Sequence, residues 1–245
     1  MKKVLITGAN KSIGFETARQ LLQKGFYVYL GSRDINNGLQ AAEQLKAEGL
    51  TNVEAIEIDV ASSESVNAAR TTIGNKTDML DVLINNAGVT GGFPQAALEA
   101  TPEQFTAAFD TNVIGVVRVT QAFIDLVKKS PEPRIVMVSS SQGSLTLAND
   151  PKNPYYNHKG AVYQPSKSAL NMYSLILAYE LRDTPVKVNM IDPGFTKTDF
   201  NNHRGTGTVE EAAARVAKYA LIGKDGPTGK YISEEFNPQT GEIPW

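Results

Sequence analysis

The stretch 3-KVLITGANKSIG-14 decides the fold. Its opening, 3-KVLIT-7, is a β-branched apolar run of strand length. A glycine ends it, and beyond a second glycine Ala18, Leu21 and Leu22 recur at helical spacing up to Gly25, a C-terminal cap. In such a strand–turn–helix unit Gly8 permits a tight turn and Gly14 a close helix–strand approach. The helix N-terminus then offers free N–H groups to a pyrophosphate. Two glycines at this spacing mean little alone; their place directly after the first strand gives them meaning.

Outward from that unit, strand-like runs alternate with amphipathic segments. The runs are 26-FYVYL-30, 53-VEAIEI-58, 81-DVLINN-86, 134-RIVMVSS-140 and 187-KVNMID-192. Leu39, Ala42 and Leu45 form a helical stripe ending at Gly49. Thr101-Pro102-Glu103-Gln104 reads as an N-cap, a first-turn proline and a capping-box glutamine, and 208-TVEE-211 repeats that logic. Apolar strands alternating with helices imply a parallel sheet of right-handed βαβ units. No repeat or linker interrupts it, so residues 1–245 read as one domain. Its longest irregular stretch is 142–161, and loops of that length are more often functional than idle.

Composition narrows the function. The chain has no cysteine, which excludes disulfides and thiolate chemistry. Net charge is −2 with no dense cationic cluster, which argues against a nucleic-acid footprint. The apolar run Val4–Ile6 is too short for a signal peptide, and no stretch approaches the roughly 18 apolar residues of a membrane span. A soluble, cytoplasmic protein is expected. His158 and His203 lie in polar segments and suggest no metal site.

The remaining signals gather where strands end. After the second strand an acidic residue would favour NAD(H) by accepting from the adenosine ribose. Here 31-GSRD-34 places Ser32 and Arg33 there. Arg33 could fork onto a 2′-phosphate and Lys11 could add charge, so NADP(H) is favoured. Asp34 leaves NAD(H) open. Asp59, followed by Val60, could accept from an adenine amino group or simply cap the next helix. The fourth strand ends in Asn86-Ala87-Gly88, small enough for a cofactor to lie against. The fifth ends in 139-SSSQG-143 and the sixth in 193-PGFTKTD-199, where Pro193, Gly194, Thr196 and Thr198 could meet an amide or phosphate. Ligands of open α/β sheets bind at this carboxyl edge.

The ordered set TGANKSIG, NNAG, SS, YQPSK and PGFTKT resembles the short-chain dehydrogenase/reductase family in its short single-domain branch, over residues 3 to about 235. Asn10-Lys11 and the long segment before the tyrosine resemble carbonyl reductases. The resemblance implies a doubly wound Rossmann-type sheet of about seven strands, with helices on both faces in three layers. It implies a cofactor site at Gly8, Asn10, Lys11, Ser12, Ile13 and Gly14, continuing through Ser32, Arg33, Asp59, Val60, Asn86, Ala87 and Gly88 to Pro193, Gly194, Thr196 and Thr198. It also implies catalytic roles. Ser140 would hold the carbonyl oxygen, Tyr163 would donate or accept the proton, and Lys167 would bind the nicotinamide ribose and favour tyrosinate. Asn112 would hold a water that links Lys167 to solvent. Unperturbed tyrosine is only about 0.1% ionised at pH 7, so the lysine ammonium and the oxidised cofactor's positive ring are expected to depress its pKa. Ser12 stands where the family usually has glycine, and a positive φ there would strain it.

A second Tyr-x-x-x-Lys pair, Tyr155 and Lys159, competes with Tyr163 and Lys167. Tyr155 follows a proline and Lys159 precedes a glycine, leaving room for one helical turn. Tyr163 and Lys167 lead into 168-SALNMYSLILAYEL-181, where Leu170, Leu177 and Leu181 keep helical spacing. Tyr163 is therefore the expected acid. It lies farther from Ser140 than is usual in the family, which implies an insertion in the preceding loop. Segments at about 142–161 and 195–207 should form the substrate pocket, with Phe93, Tyr155, Tyr156, Phe195 and Phe200 suiting an apolar or aromatic ketone or aldehyde. Trp245 should cover that pocket or a neighbouring subunit. A dimer or tetramer is expected, with a monomer open. The competing functions are a dedicated 3-oxoacyl or sugar reductase and a non-catalytic NADP-binding regulator.

Overall fold

The computed structural model describes all 245 residues. Seven parallel strands form one sheet in the order β3-β2-β1-β4-β5-β6-β7. They are β1 (Lys3–Ile6), β2 (Tyr27–Ser32), β3 (Val53–Glu57), β4 (Val82–Asn85), β5 (Arg134–Val138), β6 (Lys187–Ile191) and β7 (Lys230–Ile232). The order reverses between β1, which pairs Val4 with Val28 of β2, and β4, which pairs Val82 with Val4. That switch point opens a crevice at the carboxyl edge. Six strands fall where the apolar runs predict them. The seventh, only three residues long, had no run of its own to announce it.

Strand residues alternate between two cores. Leu5, Leu83, Ile135 and Met190 face a cluster built with α3 (Ser63–Gly74), α5 (Gly115–Val127) and α7 (Tyr163–Glu180). Val4, Ile6, Ile84, Val136 and Ile191 face a second cluster with α1 (Ser12–Gln23), α2 (Ile35–Ala47) and α8 (Val209–Ala220). Both faces of the sheet are thus dry, the condition under which parallel strands can be apolar throughout.

The helix ends follow their sequence signals. The capping boxes Thr101/Gln104 and Thr208/Glu211 both form, at α4 (Pro102–Phe109) and α8. Gly25 and Gly49 take positive φ just beyond α1 and α2. The α2 stripe differs from expectation. Leu39 is exposed, and the buried face is Gly38, Ala41, Ala42 and Leu45. Gly38 lies where a Cβ would come within 3.1 Å of Ser32 Cβ, so close packing against β2 turns the helix away from the leucine. A π-turn, Asp110–Ile114, joins α4 to α5 and contains Asn112. The 142–161 segment is not wholly irregular: a 3₁₀ turn at Ser141–Gly143 and the short helix α6 (Leu145–Asn149) occupy its start. No helix is long and apolar enough to cross a membrane.

Candidate active site

The crevice is assembled by the two strands that flank it. Asn86 Nδ2 donates to Thr7 O at 2.8 Å and to Gly8 O at 2.9 Å, while Thr7 Oγ1 accepts from Asn86 and Ala87 N–H. Asn86 is thereby committed to bracing the glycine turn. Gly8 has φ +62°, and a Cβ there would lie 3.0 Å from Ala87 Cα. A Cβ on Gly14 would sit 2.5 Å from Gly8 O. These positions demand glycine for both conformation and space.

The N-terminus of α1 has no side-chain cap at Lys11, whereas α2, α3, α4 and α8 are capped by Asp34, Ser62, Thr101 and Thr208. Asn10, Ser12 and Ile13 surround that open end. A glycine turn feeding an uncapped helix start fits a dinucleotide's pyrophosphate. Ser12 has φ 51°, so it carries the left-handed strain anticipated for it.

Farther along, Ser32 is buried with its hydroxyl donating to Asp34 O at 2.7 Å, and Arg33 is exposed without an ion-pair partner. Asp34 spends its carboxylate on Asn36 N–H at 2.8 Å as the α2 cap. Lys11 does not reach toward Arg33; its amine pairs with Asp199 at 2.9 Å. Asp59 is no helix cap, since Ser62 fills that role, and its Oδ1 accepts from Ala61 N–H at 3.0 Å. Val60 packs against Gly115.

At the chemical end, β5 delivers Ser140 and α7 delivers Tyr163 and Lys167 one turn apart. The Ser140 hydroxyl lies near enough to the Tyr163 phenol to favour its ionised form. Lys167 is buried, donates to Val138 O at 2.9 Å, and lies 5.7 Å from the Tyr163 ring centroid. Asn112, with no exposed surface, accepts from Val89 N–H and donates to Val89 O and Ser166 Oγ, each at 2.9 Å. Its side chain therefore staples the segment after Gly88 to the start of α7. Burial pushes the Tyr163 phenol up, with the Ser140 hydroxyl opposing and the Asp192 charge adding. Burial pushes the Lys167 ammonium down to about 8, against the pull of Asp192.

Two residues absent from the sequence reading, Tyr231 and Asp192, hold this cluster, and a third, Glu235, ties segments beside it. Tyr231 of β7 donates its hydroxyl to Ser140 O. Asp192, buried at the end of β6, accepts from Ser233 Oγ at 2.6 Å and Gly194 N–H at 3.1 Å, and lies close to the Ser141 backbone. Burial raises its carboxyl pKa. Glu235 accepts from the Tyr155 hydroxyl and from Phe195 N–H. Tyr231 was hidden because it belongs to the strand that lacked a signal, and Glu235 because it follows that strand; Asp192 merely ended an apolar run.

The aromatic residues separate into groups. Phe200 meets the Tyr163 ring edge-to-face at 5.3 Å, and Tyr155 meets Phe195 at 5.6 Å. Tyr156 is covered by the Lys159 amine, 4.2 Å from its centroid, so Lys159 does not pair with Tyr155. Phe93 is 66% exposed and stands apart from the other substrate candidates. Pro193 O accepts from Arg215 at 2.8 Å, while Thr196 and Thr198 are buried. Thr196 Oγ1 bonds Gly194 O at 3.1 Å, and Thr198 opens the turn Asp199–Asn201. Trp245 stacks on Tyr231 and accepts from Thr146 at its carbonyl, so it packs on its own molecule beside α6.

A sheet of this order, with a glycine turn at one end of the crevice and hydroxyl, phenol and amine groups at the other, defines an oxidoreductase of CH–OH and C=O groups. The chain belongs to the short chain dehydrogenase family, whose model matches residues 2–208. A short-chain dehydrogenase of Penicillium roqueforti is 35% identical over 95% of this chain and 94% of its own. The structure of salutaridine reductase from Papaver somniferum superposes with TM-score 0.82 at 30% identity, covering 94% of this chain and 99% of that one. The NADPH-bound carbonyl reductase from chicken fatty liver does so with TM-score 0.85 at 25% identity, covering 100% and 99%.

Proposed function

We propose that the protein is an NAD(P)H-dependent reductase of ketones and aldehydes, working in reverse as an alcohol dehydrogenase, with NADP(H) preferred. The observation that carries this reading is the convergence of Ser140, Tyr163 and Lys167 at the carboxyl edge, with Asn112 fixing the start of α7 through Ser166. The nicotinamide supplies the hydride. Ser140 donates to the carbonyl oxygen, where negative charge develops as reduction proceeds. Tyr163 gives that oxygen its proton, and its raised pKa keeps it protonated for the task. Lys167 holds the ribose and stabilises the tyrosinate left behind. Exposed Arg33 supports NADP(H), being free to take a 2′-phosphate bidentately. The poppy and chicken proteins that it resembles are both reductases, which supports this direction.

Following NADPH and NADH absorbance with a panel of aryl and alkyl ketones tests the reading. Tyr163→Phe should lower turnover by about 10²–10⁴-fold while cofactor binding survives. Tyr155→Phe should keep the chemical step. Activity retained without the Tyr163 hydroxyl overturns the assignment.

A further inference from the structure

Glu235, just beyond β7, holds two segments that are far apart in sequence. One carboxylate oxygen accepts from the Tyr155 hydroxyl and the other from Phe195 N–H at 2.9 Å. Tyr155 belongs to the 142–161 segment and Phe195 to the 195–207 segment, the two proposed walls of the pocket. Their rings touch edge-to-face, and Phe236, the neighbour of Glu235, meets Tyr155 from another side at 5.8 Å. Gly194, with φ +86°, leaves space for the carboxylate, because a Cβ there would lie 2.9 Å from Glu235 Oε2. Burial and the bond to Glu235 together push the Tyr155 phenol above its ordinary pKa, so it remains a donor.

A carboxylate is the side chain suited to this position. It has two oxygens and no proton, so it takes both donors at once, and hydrogen bonds to a charged acceptor are roughly twice as strong as neutral ones. Truncating it leaves a half-buried phenol and a backbone N–H unpaired. We infer that Glu235 is a positioning residue that sets the substrate range by tying both walls of the pocket to one carboxylate. This rests on the proposed reductase reading. Small ketones that touch neither wall escape its influence, whereas bulky aryl ketones depend on it.

The test compares a small alkyl ketone with a bulky aryl ketone. Glu235→Ala should raise KM for the aryl ketone by about tenfold or more, leaving kcat for the alkyl ketone and NADPH affinity unchanged. Glu235→Gln should restore near wild-type behaviour, because its amide oxygen takes Phe195 N–H while its NH₂ donates to the phenol. Tyr155→Phe, a milder change that cuts one link, should shift the aryl KM in the same direction by less. Hydrogen exchange in the cofactor-free protein gives a readout independent of turnover. Glu235→Ala should speed exchange in residues 142–161 and 195–207 together. Unchanged exchange, parallel losses for both ketones, or no rescue by Glu235→Gln overturns the inference. If the wild-type enzyme reduces no ketone, the reductase reading fails, and the exchange comparison still decides whether Glu235 ties the walls.

Discussion

Ser12 shows how much one side chain can cost in a turn made for glycine. It adopts φ 51° at the first position of α1, where a residue with a Cβ is strained by about 1 kcal/mol or more. Ser12→Gly should therefore raise Tm by about 2–4 °C in a chain of this size. It should also leave the open helix N-terminus intact, which a scanning calorimetry run beside a cofactor titration would check. An unchanged or lower Tm would show that the serine is not strained there. Residues whose meaning is conformational or chemical, such as Gly8, Gly14, Tyr163 and Lys167, were legible from sequence because few residue types can do their work. Asn86 and Asn112 were legible as positions, but their bracing contacts were not. A motif tells which residue stands there, but only the fold shows that each amide is already consumed by backbone partners.

At the scale of the element, α7 buries a lysine one turn beyond a tyrosine, the pair to which we assign the proton chemistry. Burial brings the Lys167 ammonium down to about 8. Its folded pKa lies below the ordinary lysine value, so the charged form is complete below that point and is lost as pH rises through it. The phenol of Tyr163 moves the other way and stays protonated. The kcat/KM for ketone reduction should therefore be level in neutral solution and fall through about pH 8, the free-enzyme value that this ratio reports. A profile that stays level well above pH 8 would show that the lysine charge is not required. Helix α7 could be recognised because Leu170, Leu177 and Leu181 mark its inner face over several turns. Strand β7 could not, since three residues are too few for a period to emerge. Its absence from the reading hid Tyr231 and Glu235 with it. The α2 stripe failed for a different reason: glycine and alanine make the tightest packing face, and hydrophobicity counts underrate them.

Across the whole molecule, two dry cores hold a sheet whose carboxyl edge is lined by turns from β1, β4, β5 and β6. The alternation of strands and helices was enough to foresee that plan, while the contacts between distant turns were not, because they join residues far apart in sequence. One such contact is the ion pair from Lys11, at the turn after β1, to Asp199, beyond β6. Between those strands lie β4 and β5, so the pair reaches across the front of the crevice that a dinucleotide would occupy. A dinucleotide lying in that crevice would have this exposed pair at its edge, so opening the pair is expected to be one step of its entry and exit. An exposed pair of this kind contributes at most about 1 kcal/mol and weakens as salt shortens the Debye length to about 8–10 Å. Asp199→Asn should then raise the NADPH off-rate by up to about fivefold and flatten its dependence on ionic strength, as stopped-flow displacement would measure. An off-rate that ignores both salt and the substitution would leave the pair as surface decoration. If product nucleotide release limits turnover, substituting either charged residue at this rim should change kcat although both lie apart from the residues assigned to the proton.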